Sequence, residues 1–174
     1  MTRALQATAL VAVAGLFVLL VWRLTHQSHP PKIGGPAPNF TLSRLDAGGK
    51  LSLASLRGKP AVINFFASWC EPCKAESKVI EDAWRQYKPK GVVFVGVDYH
   101  DVTSDGRAFL RAHDITYPTV QDGSGMVGDK YGLTAVPETY FVDAQGRLVG
   151  SHIVGTVANQ QDKFFAGIKA ALDS

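Results

Sequence analysis

The stretch Ala61–Glu76, AVINFFASWCEPCKAE, decides how this chain is read. Its first part, AVINFFA, is a continuous apolar run of strand length, the pattern of a strand covered on both faces. Cys70 and Cys73, the two cysteines of the chain, follow at once. Beyond them Ala75, Val79, Ile80, Ala83, Trp84 and Tyr87 recur at spacings of three and four, which predicts a helix from Cys70 to about Lys88, closed by Pro89 and Gly91.

Reading outward, VVFVGVD is a second buried strand, and Ser104 to His113 is a helix with Ser104 as its cap. ETYFVD and RLVGSHIV flank the turn residues Ala144 to Gly146 as a hairpin. Asn159 to Leu172 is a last amphipathic helix. Upstream, FTLSRLDAGGKLSL carries two short strands around Asp46 to Gly49, and LASLRGKP a helical turn ending at Gly58. This order gives an α/β class with a central sheet and helices on both sides.

The chain divides into three parts. Residues 1–24 contain a run without charge from Ala4 to Trp22, bracketed by Arg3 and Arg23. As a helix it spans about 28 Å, against roughly 30 Å of bilayer hydrocarbon. It is read as an uncleaved membrane anchor over a cleaved signal peptide, because the segment RLTHQSHPP after it offers no small-x-small cleavage site. Residues 25–38, THQSHPPKIGGPAP from Thr25, form a Pro/Gly-rich tether. Residues 39–174 form the folded domain. Within 174 residues, 46% are hydrophobic and 19% charged, enough for a real core without a disulfide. The net charge of +3 is spread singly along the chain, which argues against a nucleic-acid partner.

Three readings compete for the cysteine pair. As a staple it is weak: closing four residues removes roughly 2 kcal/mol of unfolded-chain entropy, against about 3 for a fifteen-residue loop. A closed zinc site wants four ligands, and His100, His113 and His152 are isolated in sequence, so no resident metal is expected. A Cu(I) site from both thiolates and a distant histidine such as His152 is the copper variant of that reading. The redox reading draws on position. Cys70 at a helix start meets unpaired amides and the positive end of the macrodipole, which favour thiolate, so it is expected to be the exposed, attacking sulfur. Cys73, one turn in, is expected to be more buried and to resolve the mixed disulfide. Pro72 fits a first turn whose amides are unpaired anyway. Glu71 and Glu76 place negative charge nearby and oppose thiolate, and Glu76 is also positioned to take the proton from Cys73.

The segment FFASWCEPCKAE resembles the active-site segment of thioredoxin-fold proteins, and AVPETYFVD resembles their second signature. Together with GGPAPNFTL, DGSGMVGDKYGL and VPETYFVDAQGRLVGSHIVG, the chain from about Ile33 onward is similar to the membrane-tethered TlpA/ResA/DsbE-type thioredoxin-like proteins. The resemblance implies a thioredoxin-like fold with a central mixed sheet, an N-terminal extension and a strand–helix insertion over about 92–114. It implies that Pro137 is a cis-proline facing the pair, with the backbone at Val136 able to pair with a substrate segment. It carries Glu76 and Glu138 into the active site, and Trp69 is read as shielding the disulfide or meeting substrate.

The function expected is an extracytoplasmic thiol:disulfide oxidoreductase, single-pass in the cell membrane, with no cofactor beyond the Cys70–Cys73 couple. Its partners are client proteins with cysteine pairs, apocytochrome c being the client that the resemblance implies, and a membrane thiol-disulfide electron donor. A general disulfide oxidant or isomerase and a copper-binding assembly factor are the alternatives. A peroxidase, suggested by APNFTL, lacks the Pro-x3-Ser/Thr-x2-Cys context.

Overall fold

The computed structural model describes residues 2–25 and 30–174. Helix α1, Thr2–Thr25, covers the uncharged run. Its apolar side chains from Leu10 to Trp22 are exposed, between 42% and 73%. Among the described residues no helix is long and apolar enough to cross a membrane, so the anchor expected over 1–24 is not shown. Residues 26–29 of the expected tether, and the side chains of Arg3 and Arg23, lie outside the described residues.

A small antiparallel ladder opens the domain, β1 Thr41–Ser43 with β2 Lys50–Ser52, followed by a 3-10 turn at Leu53–Leu56. Then come β3 Ala61–Phe66, α2 Glu71–Tyr87, β4 Val93–Tyr99 and α3 Thr103–Ala112. After them lie β5 Thr119–Asp122, α4 Met126–Tyr131, β6 Glu138–Val142, β7 Leu148–Val154 and α5 Gln161–Leu172. The main sheet has the order β5-β4-β3-β6-β7. Strands β3, β4 and β5 are parallel, while β6 is antiparallel to both β3 and β7. This is the mixed sheet of a thioredoxin-like fold, flanked by helices.

Strand β3 is buried along its whole length at the centre of that sheet. Its side chains alternate between two cores, as a pleated strand requires. Val62 and Phe66 join the core under α2, α3 and α5, with Ile80, Trp84, Phe94, Phe109, Phe141 and Phe164. Ala61, Ile63 and Phe65 join the opposite core, with Phe40, Leu53, Val97, Tyr131 and Tyr140. Two large cores on a sheet of five strands hold the β3–α2 junction rigidly, and the cysteines sit on that junction.

Several expectations shift in detail. Helix α3 begins one residue earlier, with Val102 at its cap and no side-chain cap bond, so Ser104 is not the cap. The Ser104 hydroxyl instead donates to Asp105 at 3.0 Å. The last helix splits into a 3-10 turn, Val157–Asn159, and α5. Strand β5 and helix α4 are additions: four and six residues are too few to display a period. The strand–helix pair expected over 92–114 is β4 and α3, and β5 and α4 make a second such pair before Pro137. The end of the expected tether is also built into the fold. Gly34 N–H donates to the Leu148 carbonyl, Leu148 N–H to Gly35, and Ala37 N–H to Gly146.

Candidate active site

Cys70 is the N-cap of α2, with extended φ and ψ of −90° and 107°. Its carbonyl accepts from the amides of Cys73 and Lys74 at 3.1 and 3.2 Å, and its sulfur accepts from Cys73 N–H at 3.2 Å. The sulfur therefore lies on the amide end of a helix of 17 residues, where a developing thiolate is stabilised. Pro72 stands in the first turn. The two cysteines are joined as a disulfide with their Cα atoms 5.3 Å apart, so this is the electron-accepting form of the couple. Across from it the Val136–Pro137 peptide is cis, and the Val136 carbonyl oxygen is 3.5 Å from the Cys70 sulfur.

One expectation about the pair is corrected. Cys70 was expected to be exposed, yet only 4% of it is, against 1% of Cys73. The Cys73 amide on one side and the Val136 carbonyl on the other lie against its sulfur. Trp69 is 59% exposed beside it, and its indole N–H points to the His100 carbonyl at 3.4 Å.

The three glutamates occupy different environments. Glu71 is on the surface and pairs with Lys74 at 2.5 Å, so its opposition to a Cys70 thiolate is largely cancelled locally. Glu76 is buried one turn after Cys73. Its Oε1 accepts from Asn64 Nδ2 at 2.9 Å and its Oε2 from Val157 N–H at 2.7 Å. Burial pushes its pKa up to about 7, against the lowering effect of those hydrogen bonds. Glu138, also buried, accepts through Oε1 from Thr134 N–H at 2.9 Å and Thr134 Oγ1 at 3.0 Å, and through Oε2 from the Tyr140 hydroxyl at 3.2 Å. It fixes the loop that leads into Val136 and Pro137.

Sequence reasoning passed over the residues that hold these acids. Asn64 lies on the α2 side of β3 and bridges Glu76 and Thr139 Oγ1. A single amide inside AVINFFA is the signal that could have found it, since a polar group in a fully covered strand needs partners. Asp101, just past β4, accepts from Ser68 N–H at 2.6 Å and from Val102 N–H at 2.7 Å. Burial works against its charge, but those bonds hold its pKa below the usual carboxylate value. The histidines are engaged elsewhere: His113 Nδ1 lies 3.2 Å from Ser77 Oγ, and His152 stacks on Tyr140. Among the described residues no group of three His, Cys, Asp or Glu side chains is placed to hold a metal ion.

Residues 33–151 match the AhpC/TSA family. The thiol-disulfide oxidoreductase ResA of Oceanobacillus iheyensis is 32% identical over 142 residues, which is 80% of this chain and 74% of that protein. A DsbE-type thiol:disulfide interchange protein from Chlorobium tepidum superposes with a TM-score of 0.75 at 26% identity, covering 83% of this chain and 99% of its own. A secreted Mycobacterium tuberculosis disulfide oxidoreductase homologous to E. coli DsbE superposes at 0.65 with 25% identity, over 75% and 95% of the two chains. With the Cys-x-x-Cys pair at the head of α2 and a cis-proline against it, the chain belongs to the AhpC/TSA family, as a thiol-disulfide oxidoreductase of the ResA and DsbE type.

Proposed function

We propose that the chain reduces disulfides of client proteins outside the cytoplasm, and that apocytochrome c is among those clients. The observation that carries this reading is the Cys70 sulfur seated on the first-turn amides of α2, 3.5 Å from the Val136 carbonyl. In the cycle, the Cys70 thiolate attacks one sulfur of a client disulfide, forming a mixed disulfide and releasing one client thiolate. Cys73, its proton taken by Glu76, attacks the Cys70 sulfur; the second client thiolate leaves and the Cys70–Cys73 disulfide forms. Two electrons have passed to the client, and a membrane dithiol donor returns them. The backbone at Val136 receives an extended client segment as an added strand, with exposed Trp69 beside it and buried Glu138 holding the loop behind it. No cofactor is needed. The exposed apolar helix α1 and residues 26–32 hold the domain to the membrane, in the anchor–tether–domain order.

Substituting Cys73→Ala in native membranes traps the mixed disulfide on Cys70. Recovery of cytochrome precursors supports the client assignment. Recovery of other cysteine-pair proteins replaces that client, and a Cys70 that forms no adduct overturns the cycle.

A further inference from the structure

Asp98 near the end of β4 is fully buried, and no N–H or O–H group of the described residues donates to either of its oxygens. Helix α3 seals it in: a Cβ on Gly106 would lie 2.3 Å from Asp98 Oδ2, and Leu45 packs beside the same spot. The charged groups that bear on it are Asp101, just past the end of the same strand, and Asp105 on α3. Its partners across the sheet, Phe66 on β3 and Gln121 on β5, bring no charge. A buried carboxylate with only carboxylates as neighbours is unfavourable, whereas a neutral acid there has one good acceptor, Asp101. Asp101 in turn accepts from Ser68 N–H, two residues before Cys70.

We propose that Asp98 is a positioning residue for thiol-disulfide exchange: as a neutral acid it donates to the Asp101 carboxylate, which fixes Ser68 and thereby the Trp69–Cys70 turn. The proton stays on Asp98 and no covalent bond changes. When Asp98 ionises, two carboxylates oppose each other in the interior, and Asp101 loses the orientation that holds Ser68 N–H. Burial, and then the charges of Asp101 and Asp105, push the Asp98 pKa up to about 8, so the device loosens in mildly alkaline solution. This rests on Cys70 being the site of exchange, but its test reads the loop itself.

The test follows the Ser68 amide resonance of the full-length, nitrogen-15-labelled chain from slightly acid to alkaline pH, with the disulfide intact so that neither thiol titrates. The wild type is expected to show one step centred near 8. Asp98→Asn keeps a donor toward Asp101 and cannot ionise, so it loses the step, while Glu76→Gln retains it. A second reading is the ratio of wild-type to Asp98→Asn rates of reduction by dithiothreitol, in which the reagent's own ionisation cancels. It stays level at neutral pH and falls above the step. A flat wild-type profile, a step that persists in Asp98→Asn, or one that vanishes in Glu76→Gln overturns the proposal. The client-trapping result is independent of all three.

Discussion

Glu71 and Glu76 flank the cysteine pair with the same carboxyl group and different chemistry. In water a carboxylate beside a thiol raises the thiol's pKa, and from the sequence both acids count against a Cys70 thiolate. In the fold Glu71 stays hydrated with Lys74 at 2.5 Å, while Glu76 loses water and has its pKa pushed up to about 7. In the proposed cycle, an acid with that pKa takes a proton from Cys73 at neutral pH and returns it. The rate at which Cys73 resolves a mixed disulfide should therefore rise with pH through an inflection near 7, and Glu76→Gln should remove that inflection. Stopped-flow measurement of the second exchange step across pH checks this. The same group reads out in stability. Because its folded pKa lies above the ordinary 4.5, the folded chain holds the proton more tightly, and stability is lost as pH rises from 4.5 to about 7. Denaturant titrations of the disulfide form should show a shallower fall over that window in Glu76→Gln.

At the level of elements, long periodic segments were legible and short ones were not. AVINFFA announced β3 as an unbroken apolar run of strand length, and the three-four spacing announced α2 because that segment runs long enough to display its period. Strand β5 owes its place to pairing with β4 at Gly96↔Thr119 through Tyr99↔Asp122, and α4 is framed by the left-handed glycines Gly125 and Gly132. Neither carries a local pattern. The burial of Cys70 was equally hidden, since it depends on Val136, a residue brought back across the sheet by β6. Contacts of that kind also decide the cost of substitutions within an element. Gly167 is inside α5, where alanine is ordinarily worth about 1 kcal/mol in helix propensity. A Cβ there would lie 2.3 to 2.5 Å from ring atoms of Phe141, itself 1% exposed and packed against Phe164. Overpacking of a closed core costs about 1–3 kcal/mol, which outweighs the propensity gain. Gly167→Ala should lower stability by up to about 2 kcal/mol net, read as a lower denaturant midpoint with unchanged slope.

For the whole molecule the open question is where the independently folding unit begins. Composition alone put the boundary at Asn39, since four prolines and two glycines over residues 25–38 read as tether. Backbone pairing argues for an earlier start. Gly34, Gly35 and Ala37 pair with the Gly146–Leu148 segment, Pro36 bridges Arg147, and the Pro38 carbonyl accepts from the Tyr131 hydroxyl at 3.0 Å. The family match also starts at residue 33. Leu148 is fully buried, so stripping its backbone partners leaves polar groups at the edge of the core without replacement. Each such bond is worth about 0.5–1.5 kcal/mol net, and the loss of all of them is roughly 2–5 kcal/mol out of the 5–15 typical of a domain. A chain of residues 33–174 should therefore fold with the stability of the full-length protein and keep its Cys70–Cys73 exchange. One of residues 39–174 should melt well below it and exchange the Leu148 amide rapidly with solvent. Thermal unfolding and amide exchange on the two truncations check this, and equal melting temperatures would return the boundary to Asn39.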